Sequence, residues 1–114
     1  MSKIDQVFRD LKSADKKALI PFVTAGDPDV EFTASVAMEF AKRGCSICEI
    51  GIPYSDPIAD GPVIAAAMHD ALVDGLHVDD VIDMASRVRG TTTLGMVAMV
   101  SSSIVERRGA DTFL

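Results

Sequence analysis

One carboxylate, Glu49, interrupts the apolar stretch SICEIGI, and two more, Asp56 and Asp60, follow in a loop that carries Pro53, Pro57 and, at its far end, Pro62. A carboxylate held at the tip of an apolar strand is partly desolvated. Desolvation favours its neutral form, so the group can both hold and release a proton near neutral pH. The bland alternative for Glu49 is a strand-end glutamate neutralised by a neighbouring cation. Proline fixes φ and removes an amide donor, so the loop holds Asp56 and Asp60 in place with little entropy left to lose. That suits a reaction site or a surface for a partner. It also suits aspartates that cap turns and the next helix, and both readings stand.

The remaining chemical candidates are weaker. Cys45 and Cys48 form a C-x-x-C, but it enters a strand, where residues three apart face opposite ways. A redox pair opens a helix instead, and a zinc site needs about four ligands that the neighbourhood does not offer. The two cysteines read as small core residues. His69 and His77 fall on helical segments and read as solvated. No histidine or further acid stands close enough to Asp56 and Asp60 to complete a magnesium or zinc site, so no metal is expected. Ser101, Ser102 and Ser103 lack the glycines of a nucleophile elbow, and no glycine-rich phosphate loop of the mononucleotide or dinucleotide type is present.

These residues need elements to position them. Ile4, Val7, Phe8 and Leu11 recur at helical spacing, and Ser2 with Asp5 three residues on reads as a capping box. ALIPFVTAG is a short apolar run that suits a strand buried on both faces, with a distortion at Pro21. Asp27 and Pro28 read as the cap and first turn of a helix through DVEFTASVAMEFAKR, stopped by Gly44. SICEIGI is a second strand. PVIAAAMHDALVDG reads as a helix ended by Gly75. Val78, Val81, Ile82, Ala85 and Val88 mark another, with aspartates early, arginines late and Gly90 closing it. TTLGMVAMV is a third strand, and SSSIVERRGADTFL reads as a loop and the start of a further helix. Strands alternating with helices predict βαβ units and a parallel sheet. Ligands in such folds sit at the carboxyl ends of the strands, which selects the loops TAGDPD, IPYSDPIADG and SSSIVE.

The totals exclude several functions. The chain has 114 residues, about one small domain, with 48% hydrophobic and 25% charged residues. Its net charge of -6 repels phosphate backbones and anionic lipid, so neither nucleic acid nor membrane is expected as a partner. No apolar stretch approaches the roughly 18 residues of a membrane span, and the amphipathic MSKIDQVFRDLKS has no signal-peptide core. A cytoplasmic location is the expectation.

PFVTAGDPD followed by EIGIPYSDPIADGPVI closely resembles the α subunit family of tryptophan synthase, and both the opening helix and GADTFL fit the same family. The resemblance implies a (β/α)8 TIM-barrel fold, α/β with parallel strands. Such a barrel takes about 250 residues, so residues 1–114 would form a partial domain of about the first three βα units. It implies a carbon–carbon/carbon–oxygen lyase of L-tryptophan biosynthesis that cleaves indole-3-glycerol phosphate to indole and glyceraldehyde 3-phosphate by a retro-aldol reaction. It assigns Glu49 and Asp60 as catalytic, Phe22 and Ile64 as the apolar wall around the indole, and Pro53, Asp56 and Pro57 as the face toward a β subunit. The implied assembly is an α2β2 complex in which pyridoxal phosphate belongs to the β subunit and this subunit carries no cofactor.

The sequence departs from the family at SSS, residues 101–103, where the family carries tyrosine and asparagine, and this bears on substrate fit. The phosphate-gripping loops after the family's seventh and eighth strands have no counterpart within these 114 residues. The chain therefore reads as cut off, with low activity of its own and exposed strand edges that favour association. Two alternatives accompany the lyase reading: an inactive fragment that only docks on the β subunit, and a stand-alone lyase that releases free indole.

Overall fold

The computed structural model describes residues 2–113; Met1 and Leu114, the two ends of the expected 1–114 domain, lie outside the described residues. Helix α1 (Lys3–Ser13) opens on the expected reciprocal cap, with Ser2 Oγ accepting from the Asp5 amide and the Asp5 carboxylate accepting from the Ser2 amide. Its apolar stripe is only half covered. Phe8 stays 47% exposed, while Ile4 lies against the foot of the third strand at Gly95.

Strand β1 is Phe22–Thr24, far shorter than the apolar run that contains it. Pro21 has no amide to give a ladder, so pairing begins there only through its carbonyl, which accepts from the Glu49 amide at 2.8 Å. Leu19 and Ile20 before it are exposed, and β1 itself is half-buried rather than buried on both faces. Strand β2 (Ile47–Gly51) is central and is buried at every position except Glu49, which is half-buried. Strand β3 is Gly95–Met99. The sheet is parallel, in the order β1-β2-β3, with Phe22, Glu49 and Val97 forming one register row.

Helix α2 (Val30–Lys42) begins later than the Asp-Pro pair suggests. Asp29 is the cap: its carboxylate accepts from the Phe32 amide at 2.7 Å. Asp27 and Pro28 belong to the preceding turn, joined by a cis peptide bond. The Thr33 hydroxyl ties that turn to the helix, donating to the Asp29 carbonyl and accepting from the Gly26 amide. Gly44 ends the segment with φ +91, a conformation that side chains resist.

Helices α3 (Gly61–Val73) and α4 (Val78–Thr91) follow β2. Gly90 does not close α4. The helix continues to Thr91: the Val88 carbonyl accepts the Thr92 amide at 3.0 Å, and the Thr91 and Thr92 hydroxyls donate to it as well. After β3 come two short helices, α5 (Ser102–Arg108) and α6 (Ala110–Phe113), so the terminal segment is more helical than the sequence suggests.

The main core cluster lies on one side of the sheet, although Ile47, on the other face, is also buried. Cys48 and Ile50 of β2 pack with Ala34 and Ala37 of α2 and with Val81, Met84 and Val88 of α4. The alanines let α2 come close, and the helical spacing of the α4 residues keeps them on a single face. Strand alternation then turns Phe22, Glu49 and Val97 to the opposite face, where Val97 is 40% exposed.

Candidate functional site

Glu49 reaches its place through the pleat of β2: Cys48 and Ile50 are drawn into the helical core, so the residue between them must face the other way. The three ion pairs among the described residues are Glu39–Arg43, Glu31–Arg87 and Asp79–Arg108. Glu49 is in none of them, so the neutralised-glutamate alternative does not hold for the described residues. Its carboxylate lies on the open face, flanked in register by an aromatic ring and a valine.

Phe22 extends along that face toward the strand ends. Its ring lies so close to Gly51 that a Cβ there would meet Phe22 Cζ at 2.6 Å. Phe22 also borders a cavity of about 220 Å3 between β1, α2 and α3, which Ile64 and Thr24 line as well. The two expected wall residues, Phe22 and Ile64, are therefore brought together. Glu49 and Asp60 do not line that cavity.

Asp60 stands immediately before α3, in the position of its cap, yet it does not act as one. Its backbone is already helical (φ -90, ψ -3), and its side chain makes no bond to the first-turn amides. The carboxylate instead accepts a hydrogen bond at 3.2 Å from the Tyr54 phenol. Burial first, and then the bond to Asp60, push the Tyr54 hydroxyl above its ordinary value. The capping explanation of Asp60 fails on this geometry.

The loop between β2 and α3 is anchored by Pro53, which is buried, and turns outward at Asp56, which is exposed and accepts from the Ser55 hydroxyl at 3.3 Å. Asp56 and the half-buried Pro57 line a shallow cavity of about 800 Å3 together with Tyr54, His69 and Leu72. Of the three expected interface residues, Asp56 and Pro57 face outward together and Pro53 holds the foot of their loop.

Cys48 is fully buried in the core, and burial pushes its thiol up to about 11. No group of three or more potential metal-ligating side chains gathers among the described residues. No helix is long and apolar enough to cross a membrane among the described residues. Ser101 caps α5 by accepting from the Ile104 amide, and its hydroxyl lies 2.8 Å from that of Ser103. The serine run thus starts a helix at the end of β3.

Sequence reasoning missed Tyr54. The signal was available: it is the sole tyrosine, in the same proline-pinned loop as Asp60 and six residues before it.

The family model for the tryptophan synthase alpha chain matches residues 8–114. Over all 114 residues the chain is 41% identical to the tryptophan synthase alpha chain of Clostridium kluyveri, and it covers 43% of that protein. The alpha chain of Caldanaerobacter subterraneus subsp. tengcongensis is 43% identical, with 44% of it covered. Among solved structures, tryptophan synthase subunit alpha of Legionella pneumophila superposes with a TM-score of 0.93 at 42% identity, covering 99% of this chain and 44% of that one. Tryptophan synthase of M. tuberculosis in its aminoacrylate-bound form gives 0.91 at 34% identity, covering 99% and 46%. The chain thus spans less than half the length of these relatives, and its parallel βα units form the first part of a TIM barrel.

Proposed function

The chain belongs to the tryptophan synthase alpha chain family, and on that premise we propose that it supplies the acid–base half of a retro-aldol lyase acting on indole-3-glycerol phosphate. The observation that carries this reading is Glu49, a half-buried carboxylate with no cation partner among the described residues, in the same register row as Phe22. Glu49 protonates the indole ring at C3 and takes the proton of the adjacent glycerol hydroxyl. The carbon–carbon bond then breaks, its electron pair returns to the ring, and the hydroxyl carbon leaves as the aldehyde of glyceraldehyde 3-phosphate.

Protonation at C3 places positive charge on the ring nitrogen. Asp60 accepts the ring N–H and stabilises that charge as it develops. Phe22 and Ile64 supply an apolar wall, which Gly51 allows to sit close to the strand ends. Pro53 anchors the loop, and Asp56 and Pro57 present its outer side to a β subunit, the subunit that holds pyridoxal phosphate. The phosphate of the substrate finds no matching loop in these residues, so its binding energy does not contribute to orientation here.

The exposed Asp56 beside a broad cavity also supports the second reading, a chain that docks on the β subunit without turning over substrate. Indole release from indole-3-glycerol phosphate, assayed with and without β subunit, separates the readings. The chain alone is expected to be nearly inactive. Joined to the remaining length of the Legionella relative it is expected to turn over, with Glu49→Gln and Asp60→Asn each lowering kcat by roughly two to four orders of magnitude. Unchanged turnover in either variant removes the catalytic assignment. Loss of β-subunit activation in Asp56→Ala supports the docking face, and unaltered activation removes it.

A further inference from the structure

The single polar contact that Asp60 makes among the described residues is the Tyr54 phenol on Oδ2, at 3.2 Å. Asp60 could have capped α3 and does not, because its own φ and ψ are already helical and turn the side chain away from the first-turn amides. A carboxylate released from that duty would sample several staggered rotamers unless something else selected one. From this geometry we infer that Tyr54 is a positioning residue: its hydroxyl holds Asp60 by one oxygen and leaves Oδ1 presented to a ring N–H.

The inference rests on the acid–base reading of Asp60 and adds to it a reason why one carboxylate oxygen faces the substrate. Tyr54 can do this because the chain on either side of it is constrained. Pro53 is buried and fixes the foot of the loop, and Pro57 and Pro62 restrict the return to α3. The phenol O–H donates to a carboxylate oxygen, so one oxygen of Asp60 is engaged and the other is left without a partner among the described residues. At 3.2 Å the contact is longer than most O–H···O bonds. The other titratable groups around the phenol are Asp56, in the same loop, and His69 of α3.

The test uses the 114-residue chain itself. It contains one tyrosine and no tryptophan, so the ultraviolet titration of tyrosinate reports Tyr54 alone. Asp60→Asn is expected to lower the titration midpoint, and Asp56→Asn to lower it less. In a second measurement, the Hα–Hβ couplings of Asp60 are read by NMR. They are expected to show one rotamer in the wild-type chain and averaging over several in Tyr54→Phe, a variant that keeps the ring and its packing. A midpoint unmoved by Asp60→Asn, or a single Asp60 rotamer retained in Tyr54→Phe, overturns the inference. If Asp60 has no part in the lyase reaction, both expected results still stand, whereas unaltered turnover in Asp60→Asn exposes that separate failure.

Discussion

Replacing Gly51 with alanine should destabilise the protein through one neighbour, the Phe22 ring. The added Cβ would lie 2.6 Å from Cζ and 2.9 Å from Cε2 of that ring, and 3.5 Å from the Met68 Sδ-methyl. Carbon atoms rest at about 3.5–4.0 Å, so the ring must retreat by roughly 1 Å while the methionine needs no movement. Overpacking of this kind costs about 1–3 kcal/mol, and the reduced freedom of the unfolded chain returns about 0.4–1 kcal/mol. The net expectation is a loss of about 1–2 kcal/mol. Urea unfolding followed by circular dichroism measures it as a lower midpoint at unchanged slope. The cause is tested by Phe22→Leu, which removes the far edge of the ring. In that background, Gly51→Ala should cost less than about 0.5 kcal/mol, a coupling that double-mutant cycles resolve. Gly51→Ala as stable as the wild type, or equally costly with and without the Phe22 ring, refutes the close-approach argument. The same displacement would move the wall proposed for the indole.

Three other outcomes follow from the fold. The Cys48 thiol, ordinarily near 9.0 and held at about 11 in the folded protein, stays protonated across that interval; the associated stability should be complete below about pH 9 and lost as pH rises through about 11, and Cys48→Ala should flatten the alkaline limb of a stability–pH curve. Asp29→Ala should cost about 1 kcal/mol as the true cap of α2, and Asp27→Ala far less, with equal losses arguing against the assigned cap. Met84 is almost fully buried between α4 and the sheet, so Met84→Ala should cost about 2–5 kcal/mol in the same urea assay, and a loss below 1 kcal/mol would place it outside the core.

Much was legible from local pattern because local physics decides it. The Ser2–Asp5 box, the Gly44 stop and the apolar spacing of α4 act within a turn or two of chain, and each is found where spacing places it. The alternation of apolar runs with helical segments was enough to predict a parallel sheet. The two quoted motifs also carried the family resemblance, including the grouping of Phe22 with Ile64.

What the chain alone did not reveal depends on partners distant in sequence or on competition between near-equal local choices. ALIPFVTAG looks like one long strand, yet pairing with β2 begins only after Pro21, since a ladder needs amides opposite carbonyls and periodicity does not register that. Asp27 and Asp29 are both good caps by type; the backbone angles at Asp29 and the bond from Phe32 chose between them. Gly90 looks like a terminator, but the Thr92 amide still bonds back to the Val88 carbonyl, where two threonine hydroxyls join it. Residue type and spacing thus determined which carboxylates could do chemistry here. Only packing in three dimensions decided that Glu49 has no cation beside it among the described residues and that Asp60 answers to Tyr54 rather than to its own helix, because both outcomes depend on which groups the pleat of β2 and the turn before α3 bring within bonding distance.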